Sequence, residues 1–499
     1  RRSRRTPYDK DRRTGGPVDD TGQAADATRQ KGLLLRRSLV IGAGAVVIEL
    51  TYWASLLRHY QPQRDANQYF VMAGNFAAGR GVADSFLQPY VHATAFRPPL
   101  YPVLLGSLFH VFGVHLVVAQ AANVLLGALV VVLAERLTTK IAGPAAGLRA
   151  AIAVGLCPSL LANDAVPLSE PLGLVLFLLA LLFLADRLWI PAGVTVGLFL
   201  LTRPTGPALL VAACVWLAVH AGWRNSLRLL FAAAVVAAPW MARNEVRLHS
   251  PSIVTSNGFN LSAMYSPEAI ARGGFVDPAT DPTFWWLRPS QIGEGPWDQT
   301  LVRRGLGGVV SHPVAVVETV ASNLGHLSEL LPNDPIDRGD GRNIRFRTAT
   351  LPVFYMTAVL GLLGLWRFRR DPRARLLLLL AAAVVLPSAL TVVAPRLRAT
   401  MDLTLAIGAA LLLTPARMLV WGSSSAGASG RVLCVAALQE WAAQQEWGVD
   451  DRDRAAAISH QVHAGGDADR RLGRAHRPWQ RPGCSPTGSP TSTAPAGRS

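Results

Sequence analysis

Long apolar runs, separated by short basic or proline-bearing turns, dominate residues 38–420. A helix that crosses a bilayer needs roughly 20 mostly apolar residues. The run 38–57 meets that length, with Glu49 inside it. Further runs occupy 98–112, 115–135, 145–162, 168–185, 191–219 and 226–240, then 351–366, 376–394 and 401–420. Run 98–112 is short for a span, and the Arg203-Pro204 pair breaks 191–219. Two polar stretches divide the series. Residues 58–97 contain a helical pattern over 64–79 that is too short and too polar to span. Residues 241–350 hold no spanning run, and an interfacial amphipathic helix is expected near 311–331. The pattern predicts an all-α polytopic membrane protein, a helical bundle with about ten crossings.

Charge orients the bundle. Residues 1–37 are polar and basic, with Gly15, Gly16 and Pro17, and are expected to form a disordered cytoplasmic arm. The first apolar run follows this leader without a small-residue cleavage site, so it reads as an uncleaved anchor. Arg136, Lys140, Arg187, Arg224 and Arg228 mark the inner face, as do Arg367, Arg369, Arg370, Arg373 and Arg375 in one short loop. Loops 58–97 and 241–350 then lie outside. Residues 421–499 are rich in Gly, Ala, Ser, Pro, Arg and Asp and read as a disordered tail after a 38–420 membrane domain.

Composition agrees. Of 499 residues, 50% are hydrophobic and 16% charged, and mean hydropathy is +0.27. Soluble domains carry about a quarter charged residues, which excludes an ordinary soluble enzyme. A net charge of +17 would point to nucleic acid in a soluble protein. Here the inner-face bias accounts for much of it, no nucleic-acid module is visible, and no nucleic-acid partner is expected. Cys157, Cys214, Cys434 and Cys484 have neither metal-ligand spacing nor a disulfide framework.

Candidate chemistry sits in the outer loops and at the outer helix ends: Asp65, Arg97, Glu170, Arg203, Arg243, Arg396 and Arg398. Ionisable groups beside spanning helices are costly and tend to be paired or functional. The planar guanidinium fork suits phosphate. Phosphate at a bilayer surface suggests a phospholipid or polyprenyl-phosphate ligand, and an isolated carboxylate beside it suggests a general base.

Several segments then carry a family resemblance, in order along the chain. They are DANQYFVMAGNFAAGRG at 65–81, RPPLYPVLLGSLFHVFG at 97–113 and NDAVPLSEPLGLVLFLLAL at 163–181. GLFLLTRPTGPALL at 197–210, APWMARN at 238–244 and TSNGFNLSAMYSPEA at 255–269 follow, and PRLRATMDLTLAIGAALLL at 395–413 closes the series. Together they resemble the bacterial GT-C glycosyltransferases that use polyprenyl-phosphate sugars, such as the protein O-mannosyltransferases and the aminoarabinose transferase of lipid A. Ala66 follows the loop Asp where many relatives carry a second acid, and Arg396-Leu397-Arg398 stands where many read Arg-Tyr-Arg.

The resemblance implies that Asp65 is the catalytic base, taking the acceptor proton as that oxygen attacks the anomeric carbon. A helix-capping Asp is the plainer reading. Tyr69, four residues on, shares the Asp65 face of a helix and lines the sugar pocket or packs at the interface. Arg97, aimed by Pro98-Pro99, is implied to bind phosphate, with snorkelling to headgroups as the competing role. Glu170 either binds sugar or serves the helix dipole. Arg203, in mid-run, is implied to contact the carrier phosphate, because a bare arginine there costs ~2.5–3.5 kcal/mol. Arg396 and Arg398 are candidate phosphate ligands in a short outer loop. Arg243 and Asn244, after Trp240, read chiefly as an interface anchor. Asn257, Asn260 and Pro267 form a loop that contacts substrate or is plain surface.

The implied activity is transfer of a sugar from a polyprenyl-phosphate donor to an envelope glycan, lipid or protein, by inverting displacement, on the outer side of the plasma membrane. No cofactor is expected, with a divalent metal left open. A lipid-linked saccharide flippase is the alternative, but it predicts internal repeats, of which none is evident. A third reading is an inactive scaffold of an envelope-synthesis complex.

Overall fold

The computed structural model describes residues 20–331 and 343–414. Residues 1–19 of the basic arm and the whole 421–499 tail lie outside that set. Helix α1 (Asp20–Tyr52) ends in a π-turn at Trp53–Leu57, and its apolar part, Leu35–Leu57, is long enough to cross a membrane. The start at Asp20 corrects the expectation of disorder through residue 37. Ala24, Ala25 and Ala27 are strong helix formers. They extend an existing helix, so no new nucleus has to form.

The first polar segment begins with α2 (Arg64–Ala77), the expected short helix. A two-residue hairpin follows, β1 (Ala83–Asp84) against β2 (His92–Ala93), with Asp84 opposite His92. Next come α3 (Leu100–Phe112) and the long α4 (Leu116–Ala142). The run 145–162 is not one helix but two, α5 (Pro144–Gly155) and α6 (Pro158–Asp164), bent by 61°. Cys157, with ψ 112°, is extended, as a residue preceding proline prefers. Helix α7 (Glu170–Ala185) is apolar on every side and buried along nearly its whole length, which places it at the bundle centre. It packs on α4 and on α8 (Trp189–Leu200). The Arg203-Pro204 turn separates α8 from α9 (Gly206–His220), and α10 (Trp223–Leu248) follows with Pro239 inside it.

The second polar segment is built of short helices: α11 (Asn257–Tyr265), α12 (Pro267–Arg272), α13 (Pro289–Ile292), α14 (Glu294–Ser311) and α15 (Pro313–Leu327). Helix α15 is the expected amphipathic one. After α16 (Ile344–Ala349) the chain returns through α17 (Leu351–Arg367), α18 (Pro372–Ala389), a 3-10 turn at Pro395–Arg398 and α19 (Ala399–Leu412).

Among the described residues four helices are long and apolar enough to cross a membrane, five if the bent α5–α6 pair is one span. Helices α3, α7, α8, α9 and α17 are apolar but shorter. The outward faces of α1, α9, α10 and α17 are apolar too: Val40, Val219, Phe231 and Leu362 are all exposed. Such faces in a helical bundle fit lipid rather than water, and the chain is a multi-pass membrane protein.

The two polar segments share a core separate from that of the bundle. Leu87 and Phe96 of the first pack with Val276, Phe284, Trp297 and Leu301 of the second. Glu294 ties them further. Its Oε1 accepts hydrogen bonds from Thr94 Oγ1 at 3.0 Å, the Ala95 amide at 2.8 Å and Thr255 Oγ1. Arg243 of α10 adds a buckle, donating to the Thr94 carbonyl at 3.1 Å and the Val82 carbonyl at 3.0 Å while lying over the Trp240 ring.

Candidate active site

The two polar segments and the adjoining helix ends enclose a cleft of about 640 Å³, lined by Asp65, Arg97, Arg203 and Arg396 among others. Asp65 stands in the first turn of α2, and both carboxylate oxygens are engaged. Oδ1 accepts from Arg97 Nη2 and Oδ2 from Arg396 Nη2. Burial alone would raise the Asp65 carboxyl. The Arg97 and Arg396 guanidiniums outweigh it, Arg203 adds to them, and the group is held down to about 2.

A relay fixes Arg97. Its Nε donates to Gln68 Oε1 at 2.8 Å, and Gln68 Nε2 donates to Asp84 Oδ2 at 2.8 Å. Gln68 lies one helical turn after Asp65, so one face of α2 supplies both the carboxylate and the clamp on its arginine. The burial of Asp84 pushes that carboxyl up, partly offset by Gln68.

Behind Asp65 lies a second ion pair. Arg203 Nη1 reaches Glu170 Oε1 at 2.9 Å and Ser169 Oγ at 3.1 Å, and Arg396 Nε is 3.9 Å from the same Glu170 oxygen. The turn at Arg203-Pro204 therefore carries the guanidinium to the start of α7 instead of leaving it in an apolar run. The stem of Arg203 crosses Gly173, where an added methyl would lie 3.1 Å from its Cγ. Tyr69 Oη is 3.2 Å from Ser169 Oγ, and its ring meets that of Tyr101 edge-on at 5.3 Å. Tyr101 donates to Asn123 Oδ1 at 3.1 Å, and Asn123 donates to the Val166 and Leu168 carbonyls. Asn123 thus holds the turn that presents Ser169 and Glu170.

Asp65, Tyr69, Arg97, Glu170, Arg203 and Arg396 therefore form one connected network, although they span 331 residues of sequence. Arg398 stands apart. It is two residues after Arg396 on a tight turn and faces the other way. It donates to Asp402, to the Leu327 carbonyl and to Glu329 Oε1 at 2.8 Å, and lies 3.8 Å over the Phe354 ring. Asn257 and Asn260 line the cleft, and Asn244 holds the Ser252 carbonyl at 2.8 Å. Gln68, Asp84, Ser169 and Asn123 were not singled out by sequence. Gln68 was readable as a face-mate of Asp65, and Ser169 as the neighbour of Glu170. Among the described residues no group of three or more His, Cys, Asp and Glu is placed to hold a metal.

At the Asp65 end of the cleft the charges are three guanidiniums and two carboxylates. The surplus is positive, in a partly dehydrated recess where charge interactions are stronger than in bulk water. The arrangement can hold an anion and can accept a proton beside it.

No protein-family model matches the chain, and no curated protein matches it. Solved structures show a likeness of fold. The oligosaccharyltransferase of Archaeoglobus fulgidus in its apo form has a TM-score of 0.47 and 17% identity over 85% of this chain and 54% of its own. The same organism's AglB, in complex with an inhibitory peptide and a dolichol-phosphate, has a TM-score of 0.44 and 16% identity over the same shares. ArnT from Cupriavidus metallidurans, bound to undecaprenyl phosphate, has a TM-score of 0.37 and 16% identity over 78% of each chain. These neighbours are GT-C glycosyltransferases. The chain spans about half the length of the oligosaccharyltransferase, since it covers 54% of it.

Proposed function

We propose that this chain is an inverting membrane glycosyltransferase. It moves a sugar from a polyprenyl-phosphate donor to an envelope acceptor in a cleft on the outer side of the plasma membrane, within a bundle of about ten crossings. The observation that carries the reading is the single carboxylate, Asp65, bracketed by Arg97 and Arg396 with Arg203 behind them. The motif resemblance supports the same reading.

The donor phosphate competes with Asp65 for the guanidiniums. When it takes over Arg97 and Arg396, Asp65 loses the two partners that hold its proton affinity low. It can then take the hydrogen of an acceptor hydroxyl. The acceptor oxygen attacks the anomeric carbon, and the carbon–oxygen bond to phosphate breaks. The electron pair leaves with the phosphate, whose developing charge falls on Arg97, Arg203 and Arg396. Attack opposite the leaving group inverts the anomeric centre. Glu170 holds Arg203 in place, Tyr69 backs the Ser169 turn, and Arg398 braces the turn that carries Arg396.

The test is transfer by the purified protein in lipid nanodiscs, supplied with radiolabelled polyprenyl-phosphate sugars and an envelope extract as acceptor. Asp65→Asn should lower turnover by roughly 10²–10⁴-fold while donor binding persists. A flippase would move the donor across vesicles with Asp65→Asn unimpaired. Full transfer by Asp65→Asn would overturn the proposal.

A further inference from the structure

The cleft extends beyond the arginines, and its far wall has a different chemistry. There the lining is Phe86, Phe259 and Phe275 with Asn257, Asn260 and Asp277. Phe86 is 47% exposed. An aromatic ring left open in a water-facing cleft is otherwise unfavourable, so it calls for an apolar surface to cover it.

Phe86 and Phe259 are braced from behind. Phe86 packs on Phe96 at 5.1 Å, Phe96 meets Phe259 edge-on at 5.4 Å, and Phe259 lies 6.4 Å from the buried Trp297. Phe96 also touches the arginine end, for the Arg97 guanidinium is 5.2 Å over its ring. The wall is therefore fixed relative to the phosphate-binding groups before anything binds, which lowers the ordering cost of a ligand. Its polar groups are the amides, Ser85 and two carboxylates, of which Asp84 is committed to Gln68 and to the Phe86 amide. Asn260 makes no side-chain hydrogen bond among the described residues, and Asp277 commits Oδ1 to the Ala279 amide at 2.8 Å. Amides offer donor and acceptor side by side, and a carboxylate accepts twice.

Flat apolar rings next to amides and a carboxylate complement one chemical class: a sugar ring, with a C–H face and hydroxyls at its edge. We propose that this wall is the acceptor subsite, and that the acceptor is a glycan which seats one saccharide ring on Phe86, Phe259 and Phe275 with hydroxyls on Asn260 and Asp277. The inference rests on the transferase reading, and it selects a glycan over the lipid and protein acceptors. A lipid acceptor would leave the amides unmatched. A peptide would find few backbone partners on an aromatic wall.

The test uses the full chain in nanodiscs and a panel of methyl glycosides (manno-, gluco-, galacto- and arabinosides) beside a mixed octapeptide library, read by saturation-transfer NMR. At least one glycoside should bind. Phe275→Ala and Asn260→Ala should each weaken that binding roughly 3–10-fold, while Phe275→Tyr retains it. Undecaprenyl phosphate affinity, measured in parallel, should be the same for all three variants. Binding of no glycoside, glycoside binding indifferent to the variants, or displacement of the bound sugar by peptide would overturn the subsite. Loss of undecaprenyl phosphate affinity in Phe275→Ala would do so too, because the wall would then belong to the donor. Absence of transfer from any donor, with glycoside binding still sensitive to Phe275, would sink the transferase reading and leave the sugar site standing.

Discussion

Asp65 presents an apparent conflict between its proposed work and its surroundings. A carboxyl held down to about 2 by Arg97 and Arg396 is a poor proton acceptor. The conflict disappears if the donor phosphate displaces it from the arginines, because the base then strengthens only when a leaving group is in place. Competition of this kind has a sign that can be measured. Asp65→Asn removes the internal anion, so undecaprenyl phosphate should bind that variant more tightly than wild type, by about 10-fold, or roughly 1.4 kcal/mol, even as transfer is lost. Weaker binding to the variant would show that Asp65 does not compete with phosphate. The same depressed value fixes a pH window. The Asp65 pairing contributes stability fully above the unfolded carboxyl value of about 3.9, and loses it as pH falls through about 2. Denaturant midpoints of wild type and Asp65→Asn, followed against pH, should therefore differ by a constant amount above about pH 4 and draw together as pH falls toward 2. Roles at this scale were only half legible in sequence. Residue type and motif position picked out Asp65, Arg97 and Arg203. Nothing local distinguished Arg396 from Arg398, because a tight turn sends neighbouring side chains to opposite sides. The clamp from Gln68 to Asp84 needed the hairpin fold, which no periodicity announces in strands of two residues.

At the scale of elements, hydropathy located the apolar helices, because a bundle in lipid must keep its apolar residues continuous, but it gave no sign of the short polar helices α11 to α14 and α16. It failed where the backbone, not the side chains, decided. Run 145–162 looked uniform, yet Pro158 bends it by 61° and α6 then delivers the turn before Glu170. The placement of α2, which carries the proposed base, depends on another backbone feature. Gly106 of α3 lies so close to α2 that a methyl there would sit 2.7 Å from the Ala73 carbonyl and 2.9 Å from Phe76 Cβ. One helix would have to move. Gly106→Ala should cost about 1–3 kcal/mol of stability and reduce turnover, since Asp65 would leave its arginines. Gly173→Ala is the milder counterpart. Its methyl would press only the flexible stem of Arg203, so thermal stability should be nearly unchanged while donor affinity falls. A pair of variants with equal effects on stability and donor affinity would contradict this division.

The whole molecule brings together residues that sequence separates by hundreds of positions, and it does so by stapling its two polar segments to one another. Glu294 is the staple. Three donors, on Thr94, Ala95 and Thr255, share its Oε1, and Oε2 faces His92 Nε2 at 3.4 Å. Sequence could delimit both polar segments but could not pair them, because their shared core of Phe96, Phe284 and Trp297 draws on positions without common periodicity. Removing the carboxylate strands buried donors, a loss of about 1–3 kcal/mol each where no water replaces it. His92 makes the staple sensitive to pH. Burial would lower its value, but the Glu294 carboxylate and the Tyr90 carbonyl, with Asp84 nearby, raise it above the ordinary imidazole range. A raised value means that protonated His92 stabilises the paired segments fully below about pH 6.5. That contribution fades as pH climbs through the folded value. Arg243, which also faces this cluster, stays charged throughout. Limited proteolysis between residues 255 and 300 should therefore be slower at pH 6 than at pH 8.5 in wild type. In His92→Gln the two rates, corrected for the protease's own pH response, should coincide. In Glu294→Ala cleavage should be fast at both values, and transfer should fall because Arg97 follows Thr94–Phe96 directly in the loop that Glu294 anchors. Equal protection of wild type and Glu294→Ala would mean that the aromatic core alone joins the segments and that the carboxylate is not their staple.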